Sequence, residues 1–169
     1  MKTQAKRAMH TRGQKACLVI DHLVEALAGD PSCSIKRASI LIFIDGNPGT
    51  TQTAIMKALD IKSKTTMNRE IEWLFNYGCI QRSPDRKDGR VIKLETCGYS
   101  KNALESALVF FPNRHKSLQK FLNRYIKVLE QNRPTLRDAR IIATLYDKGK
   151  ATKPEIIDSL YNGPATTDN

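Results

Sequence analysis

Between Thr50 and Thr96 the chain passes from helical to strand-like apolar patterning, and no other stretch restricts the fold as tightly. TTQTAIMKAL sets Ala54, Ile55, Ala58 and Leu59 on one side of a short helix that Thr50 or Thr51 caps. After a brief turn, Ser63 caps a longer helix whose apolar residues Met67, Ile71 and Leu74 stand four and three apart. That spacing turns one face inward and leaves the opposite face to solvent. Gly78 ends the helix. Cys79-Ile80-Gln81-Arg82 and Val91-Ile92-Lys93-Leu94 read as two strands, with the turn formers Pro84, Asp85, Asp88 and Gly89 between them. Helix, turn, helix, strand, tip, strand is the order of a winged helix-turn-helix, a shape that sets one helix in a DNA major groove and a loop beside it.

The outward side of the longer helix carries Lys64, Thr65, Thr66, Asn68 and Arg69 in its first two turns. Short hydrogen-bonding side chains mixed with cations suit base edges and phosphates. A face needing only solubility more often carries Glu and Lys, and an ordinary solvated face is the competing reading. At the hairpin tip Arg86, Lys87 and Arg90 crowd like charges together, a cost that the negative potential of a minor groove offsets. Asp85 and Asp88 are expected to brace those arginines, since carboxylates repel phosphate. The formal charge of +11 points the same way, because each neutralised phosphate releases counterions. A soluble basic surface is the plainer alternative. The cations do not concentrate on one amphipathic helix and no apolar run approaches a membrane span, so no membrane partner is expected.

Leu59, Thr65-Thr66-Met67-Asn68-Arg69, Ile71, Leu74, Gly78, Ile80 and Arg82, followed by Asp85-Arg86-Lys87-Asp88-Gly89-Arg90 and Thr96-x-Gly98, resemble the MarR family of winged-helix regulators. The family wing reads D-x-R-D-x-R, then a strand, then L-T-x-x-G. This chain has Lys87 where the family often has arginine, a shorter second strand, and Glu95-Thr96-Cys97-Gly98 in place of the usual ending. The resemblance covers about residues 35–100. It implies that Thr65, Thr66, Asn68 and Arg69 face the major groove and that Arg86 or Arg90 enters the minor groove. It also implies an obligate homodimer built from the first and last helices. Members often bind small phenolic or oxidising effectors, but no residue here demands one, and no cofactor is expected.

Around this unit the chain divides into four parts: a flexible basic arm over 1–13, a winged-helix DNA-binding domain over 14–100, a helical linker or dimerisation region over 101–132, and a partial second helix-turn-helix over 133–169. The arm carries Lys2, Lys6, Arg7 and Arg12, suited to phosphates or a minor groove and equally to a solubilising end. Gln14 to Ala28 has helical spacing, and Gly29-Asp30-Pro31 stops it. Ser34 caps the next helix, which Gly46-Asn47-Pro48-Gly49 breaks. Beyond the wing, Ser100 is placed to cap a helix to Phe111. A longer helix then turns Leu118, Phe121, Leu122, Tyr125, Ile126 and Leu129 inward. At a constant offset of 101 residues, Ser34–Asn68 aligns without a gap on Thr135–Asn169. Ala38, Thr51, Ile55, Leu59, Thr65 and Asn68 recur as Ala139, Thr152, Ile156, Leu160, Thr166 and Asn169. Thr135-x-x-Asp138 and Thr152-x-x-Glu155 read as capping boxes of the copy. Asp168 falls where Met67 is buried, so a complete second reading head is doubtful, and a surface for a protein partner is the alternative use of 133–169.

Catalysis and metal binding find little support. His10, His22 and His115 stand isolated, no glycine-rich phosphate loop or H-E-x-x-H occurs, and Cys17, Cys33, Cys79 and Cys97 form no C-x-x-C pair. Reduced thiols in a cytoplasmic, nucleoid-associated protein fit this pattern better than disulfides. The expected fold is therefore mainly α with a small β-hairpin wing: a winged helix-turn-helix followed by long helices and a partial second helix-turn-helix. The expected function is sequence-specific binding of double-stranded DNA by a dimeric, repressor-like transcriptional regulator. A DNA-binding accessory protein for replication, partition or transfer of a mobile element is the second reading. A winged-helix adaptor that binds proteins is the third.

Overall fold

The structure, a computed structural model, describes residues 11–129, 133–149 and 152. Helix α1 (Arg12–Ala26) starts two residues before the periodicity places it, because Thr11 and Gln14 close a capping box. Thr11 Oγ1 accepts the Gln14 amide at 3.1 Å, and Gln14 Oε1 accepts the Thr11 amide at 3.0 Å. Arg12 and Gly13, expected in the basic arm, are thus helical, and residues 1–10 of that arm lie outside the described residues. Helices α2 (Ile35–Gly46), α3 (Gln52–Ala58) and α4 (Lys64–Asn76) open at Ser34, Thr51 and Ser63, each hydroxyl accepting a first-turn amide as the sequence predicts.

Strand β1 (Ile80–Pro84) pairs antiparallel with β2 (Ile92–Thr96), from Ile80 opposite Thr96 to Pro84 opposite Ile92. The second strand runs on to Thr96 instead of stopping at Leu94. It is anchored from outside the hairpin, where Leu94 donates its amide to Thr50 O at 2.8 Å and accepts from Gly49 N at 3.0 Å. Gly49 takes φ +77°, a left-handed conformation that glycine adopts without strain.

Helix α5 (Gly98–Leu108) begins at Cys97, which makes no side-chain cap. Ser100 is not the expected cap: it is buried, and its hydroxyl donates to Ala26 O at 2.7 Å, tying α5 to α1. Helix α6 (Arg114–Leu129) buries Leu118 and Leu122 fully and Phe121, Tyr125, Ile126 and Leu129 in part. Helix α7 (Leu136–Lys148) opens on the expected Thr135–Asp138 capping box. The chain is mainly helical around one small sheet, a winged helix-turn-helix followed by further helices. Ile20, Leu23, Ile40, Met67, Leu74 and Leu104 are each at most 1% exposed, so α1, α2, α4 and α5 share a core.

The offset of 101 residues reappears in three dimensions. Ser34 and Thr135 face each other as an antiparallel bridge. Ile35 donates its amide to Pro134 O at 2.8 Å, and Leu136 donates to Cys33 O at 2.9 Å. Ile35 and Leu136, like Cys33 and Pro134, are 101 residues apart, so each bond is the counterpart of the other. The helix packing follows suit: α1 lies against α7, and α6 against α2. Helix α7 stands where the offset places the counterpart of α2, while Glu155 of the Thr152–Glu155 box and the residues after it fall outside the described residues. Among the described residues no helix is long and apolar enough to cross a membrane.

Candidate nucleic-acid interface

What α4 presents to solvent follows from how it is seated. Met67, Ile71 and Leu74 are buried as their spacing requires, and Glu70 joins them at 5% exposure. A buried carboxylate needs a partner. Arg37 of α2 supplies it, its Nε donating to Glu70 Oε2 at 2.7 Å while its guanidinium lies 4.1 Å from the Trp73 ring centre. The helix is thus held against rotation by a charge pair as well as by its apolar stripe. Lys64, Thr65, Asn68 and Arg69 are exposed, and Thr66 is half-buried.

Three residues that the sequence reading did not assign share this surface. Gln52, in the first turn of α3, donates its amide to Asn68 Oδ1. With that oxygen engaged, the Asn68 amide hydrogens are left to meet an acceptor. Glu72, one turn after Asn68, accepts from Arg82 of β1 at 2.7 Å, and the Arg82 guanidinium sits 4.4 Å from the Phe75 ring centre. These side chains line a cleft between α4 and the hairpin with Ile92 and Leu94. Gln52 is far from Asn68 in sequence, and nothing in its local pattern signals the contact.

The loop between the strands is stiffened by its aspartates, although not as expected. Asp85 Oδ1 accepts the Lys87 amide at 2.7 Å, and Asp88 Oδ1 accepts the Arg90 amide at 3.0 Å. Both carboxylates brace the loop backbone and leave the guanidinium groups alone. Asp85 also pairs with Lys93 Nζ at 2.7 Å. The Lys93 ammonium and the Lys87 amide hold its carboxyl below the usual aspartate range. Arg86, Lys87 and Arg90 are exposed, and among the described residues none of the three forms an ion pair. The histidines are less isolated than they look in sequence: His115 Nε2 lies 2.7 Å from Asp45 Oδ2, an oxygen on a side chain only 3% exposed.

No protein-family model matches the chain, and no curated protein matches it. Three solved structures are similar in shape. The transcriptional regulator SlyA is 21% identical at a TM-score of 0.36, over 60% of this chain and 75% of its own. MarR is 19% identical at 0.40, over 73% of this chain and 92% of its own. Overoxidized AbfR bound to DNA is 16% identical at 0.41, over 67% of this chain and 82% of its own. These are likenesses of shape at low identity. The winged-helix assignment rests on the helix order, the capped turns and the strand register described above.

Proposed function

We propose that the protein binds double-stranded DNA in a sequence-dependent way and acts as a transcriptional regulator of the repressor type. The observation that carries this reading is a pair of adjacent, exposed surfaces. One is the exposed side of α4 with Lys64, Thr65, Asn68 and Arg69; the other is a braced loop whose three cations have no carboxylate partner among the described residues. A helix of this size fills a major groove. The wing then lies along the neighbouring backbone, with Arg86 or Arg90 at the minor groove.

Two copies acting together would read a pseudo-palindrome, and the α1–α6–α7 side supports a dimer. There a cleft lined by Phe121, Tyr125 and Ile142 has Val128 and Tyr146 on its lip, 67% and 66% exposed. Sedimentation of the full chain tests the dimer directly. The reciprocal pairing of Cys33–Ile35 with Pro134–Leu136 favours the second reading, a replication, partition or transfer accessory protein, because duplicated units suit iterated sites. Selection of bound duplexes from a random pool, followed by footprinting, separates the two. A single palindrome supports the regulator, repeated sites support the accessory protein, and no protected duplex would sink both. Such a protein works in the cytoplasm, where the chromosome is.

A further inference from the structure

The recognition helix has two flanks. The wing stands beside only one of them. Asn68 and Glu72 border the hairpin, whereas Thr66 and Arg69 border a second cleft of about 530 Å³. Its walls come from four places: the start of α2 (Lys36, Arg37), the first turns of α4 (Thr66, Arg69, Glu70), Ile126 of α6 and the segment before α7 (Arg133). The last of these is held there by the reciprocal amide–carbonyl pair between the two repeats.

Charge decides what such a cleft holds. Among the described residues lining it, four are cations and the one acid is Glu70. Glu70 is already engaged by Arg37 at 2.7 Å, with Arg69 farther off at 3.6 Å. Lys36 and Arg133 are exposed. The cleft therefore keeps a surplus of positive charge. A major groove is roughly 12 Å wide and an α-helix with its side chains about 10–12 Å across. A helix seated in the groove fills it, so whatever flanks the helix on each side meets one of the two phosphate strands.

We propose that the seam between the two repeats is a phosphate-binding cleft, in which Lys36 and Arg133 hold the DNA backbone on the side of α4 opposite the wing. Arg69 lies at its border and spans base edge and phosphate. This rests on the DNA-binding reading above and adds to it a second backbone contact, one that exists only because α7 is paired to the start of α2. The duplicated segment then has a definite use: it completes the grip of the first reading head.

The test uses the full chain, a selected duplex and a random duplex, titrated at several salt concentrations. Lys36→Gln/Arg133→Gln should weaken both duplexes alike and make the plot of log affinity against log salt shallower by about two units per bound protomer, one per lost cation, or about four for a dimer. Lys36→Arg should restore roughly one of those units. Ethylation of single phosphates should interfere on the strand away from the wing in the parent protein and lose that effect in the double variant. If the double variant folds and keeps the parental slope while Lys87→Gln flattens it, the seam proposal is wrong and DNA binding stands. If inorganic phosphate raises the melting temperature of the parent but not of the double variant, again with an unchanged slope, the cleft serves a small anion and the proposal also fails. If the parent binds neither duplex, both readings fall.

Discussion

Single side chains in this protein show how much one group can hold in place. Glu70 is enclosed between α2 and α4, and Arg37 meets it while covering Trp73. Arg37→Ala leaves the buried Glu70 carboxylate only the longer contact to Arg69 at 3.6 Å, and breaking such a buried pair costs about 3–5 kcal/mol at most. Urea unfolding of the variant should show that loss. Ser39 is the converse case, since its buried hydroxyl has no partner among the described residues. Ser39→Ala is expected to be neutral or to stabilise the fold, because an unsatisfied group is removed. The thiols are quiet for a related reason. Burial pushes Cys33 up to about 11, against the partly opposing effect of Arg37, and burial raises Cys17, Cys79 and Cys97 as well. Iodoacetamide at pH 8 should therefore label Cys33 far more slowly than a free cysteine of pKa about 8.5, with the rate climbing only toward pH 11. Fast labelling of Cys33 at pH 8 would mean that the α2 start is open in solution. Asp85 works with the opposite sign. Its folded pKa is lowered, so its bracing of the wing is complete at neutral pH and fades only as pH falls below the ordinary carboxylate range.

Among the elements, the helix ends decide the architecture. Gly13 in α1 sits so close to α7 that an added Cβ would lie 2.4 Å from Asp147 Cβ and 2.7 Å from its Cα. Gly→Ala inside a helix gains about 0.5–1 kcal/mol of propensity, whereas overpacking against backbone costs about 1–3 kcal/mol. The clash wins, so Gly13→Ala should destabilise the protein and expose α7 first to limited proteolysis. The α2–α6 contact is fastened by His115 against buried Asp45, with Gly46 leaving room for the ring at 3.0 Å from its would-be Cβ. His115→Ala leaves that carboxylate unpaired and should cost about 1–3 kcal/mol in the same urea assay. On the far side Arg140 forks onto Asp21 at 2.8 and 3.1 Å, so α7 is tied to α1 by a bidentate pair as well as by packing.

For the molecule as a whole, the charge of +11 and the two-sided flank of α4 make one quantitative demand. A dimer neutralising on the order of 8 phosphates should lose affinity with salt at a slope of about −7 on logarithmic axes. Asn68→Ala or Arg69→Ala should cost roughly 1–3 kcal/mol on the selected site and relax base preference. An Arg69→Ala protein with undiminished preference would show that the reading surface lies elsewhere.

The caps at Ser34, Thr51, Ser63 and Thr135, the inward stripe of α4 and the hairpin were legible in the chain itself, because each depends on residues within a turn or two of one another. The 101-residue offset was legible for a different reason: such an alignment is a property of the string. Ser100 misled, since a serine at a helix start resembles a cap until α1 comes close enough to offer the Ala26 carbonyl. Gln52 against Asn68, Arg37 against Glu70 and the cleft that Arg133 and Arg69 both line were beyond reach, for no local spacing encodes which distant segments meet. By itself the sequence determined the elements, their caps and the face α4 turns outward. Only the tertiary structure decided what stands on either side of that face, because flanking is set by long-range packing and by the main-chain pairing of two segments 101 residues apart.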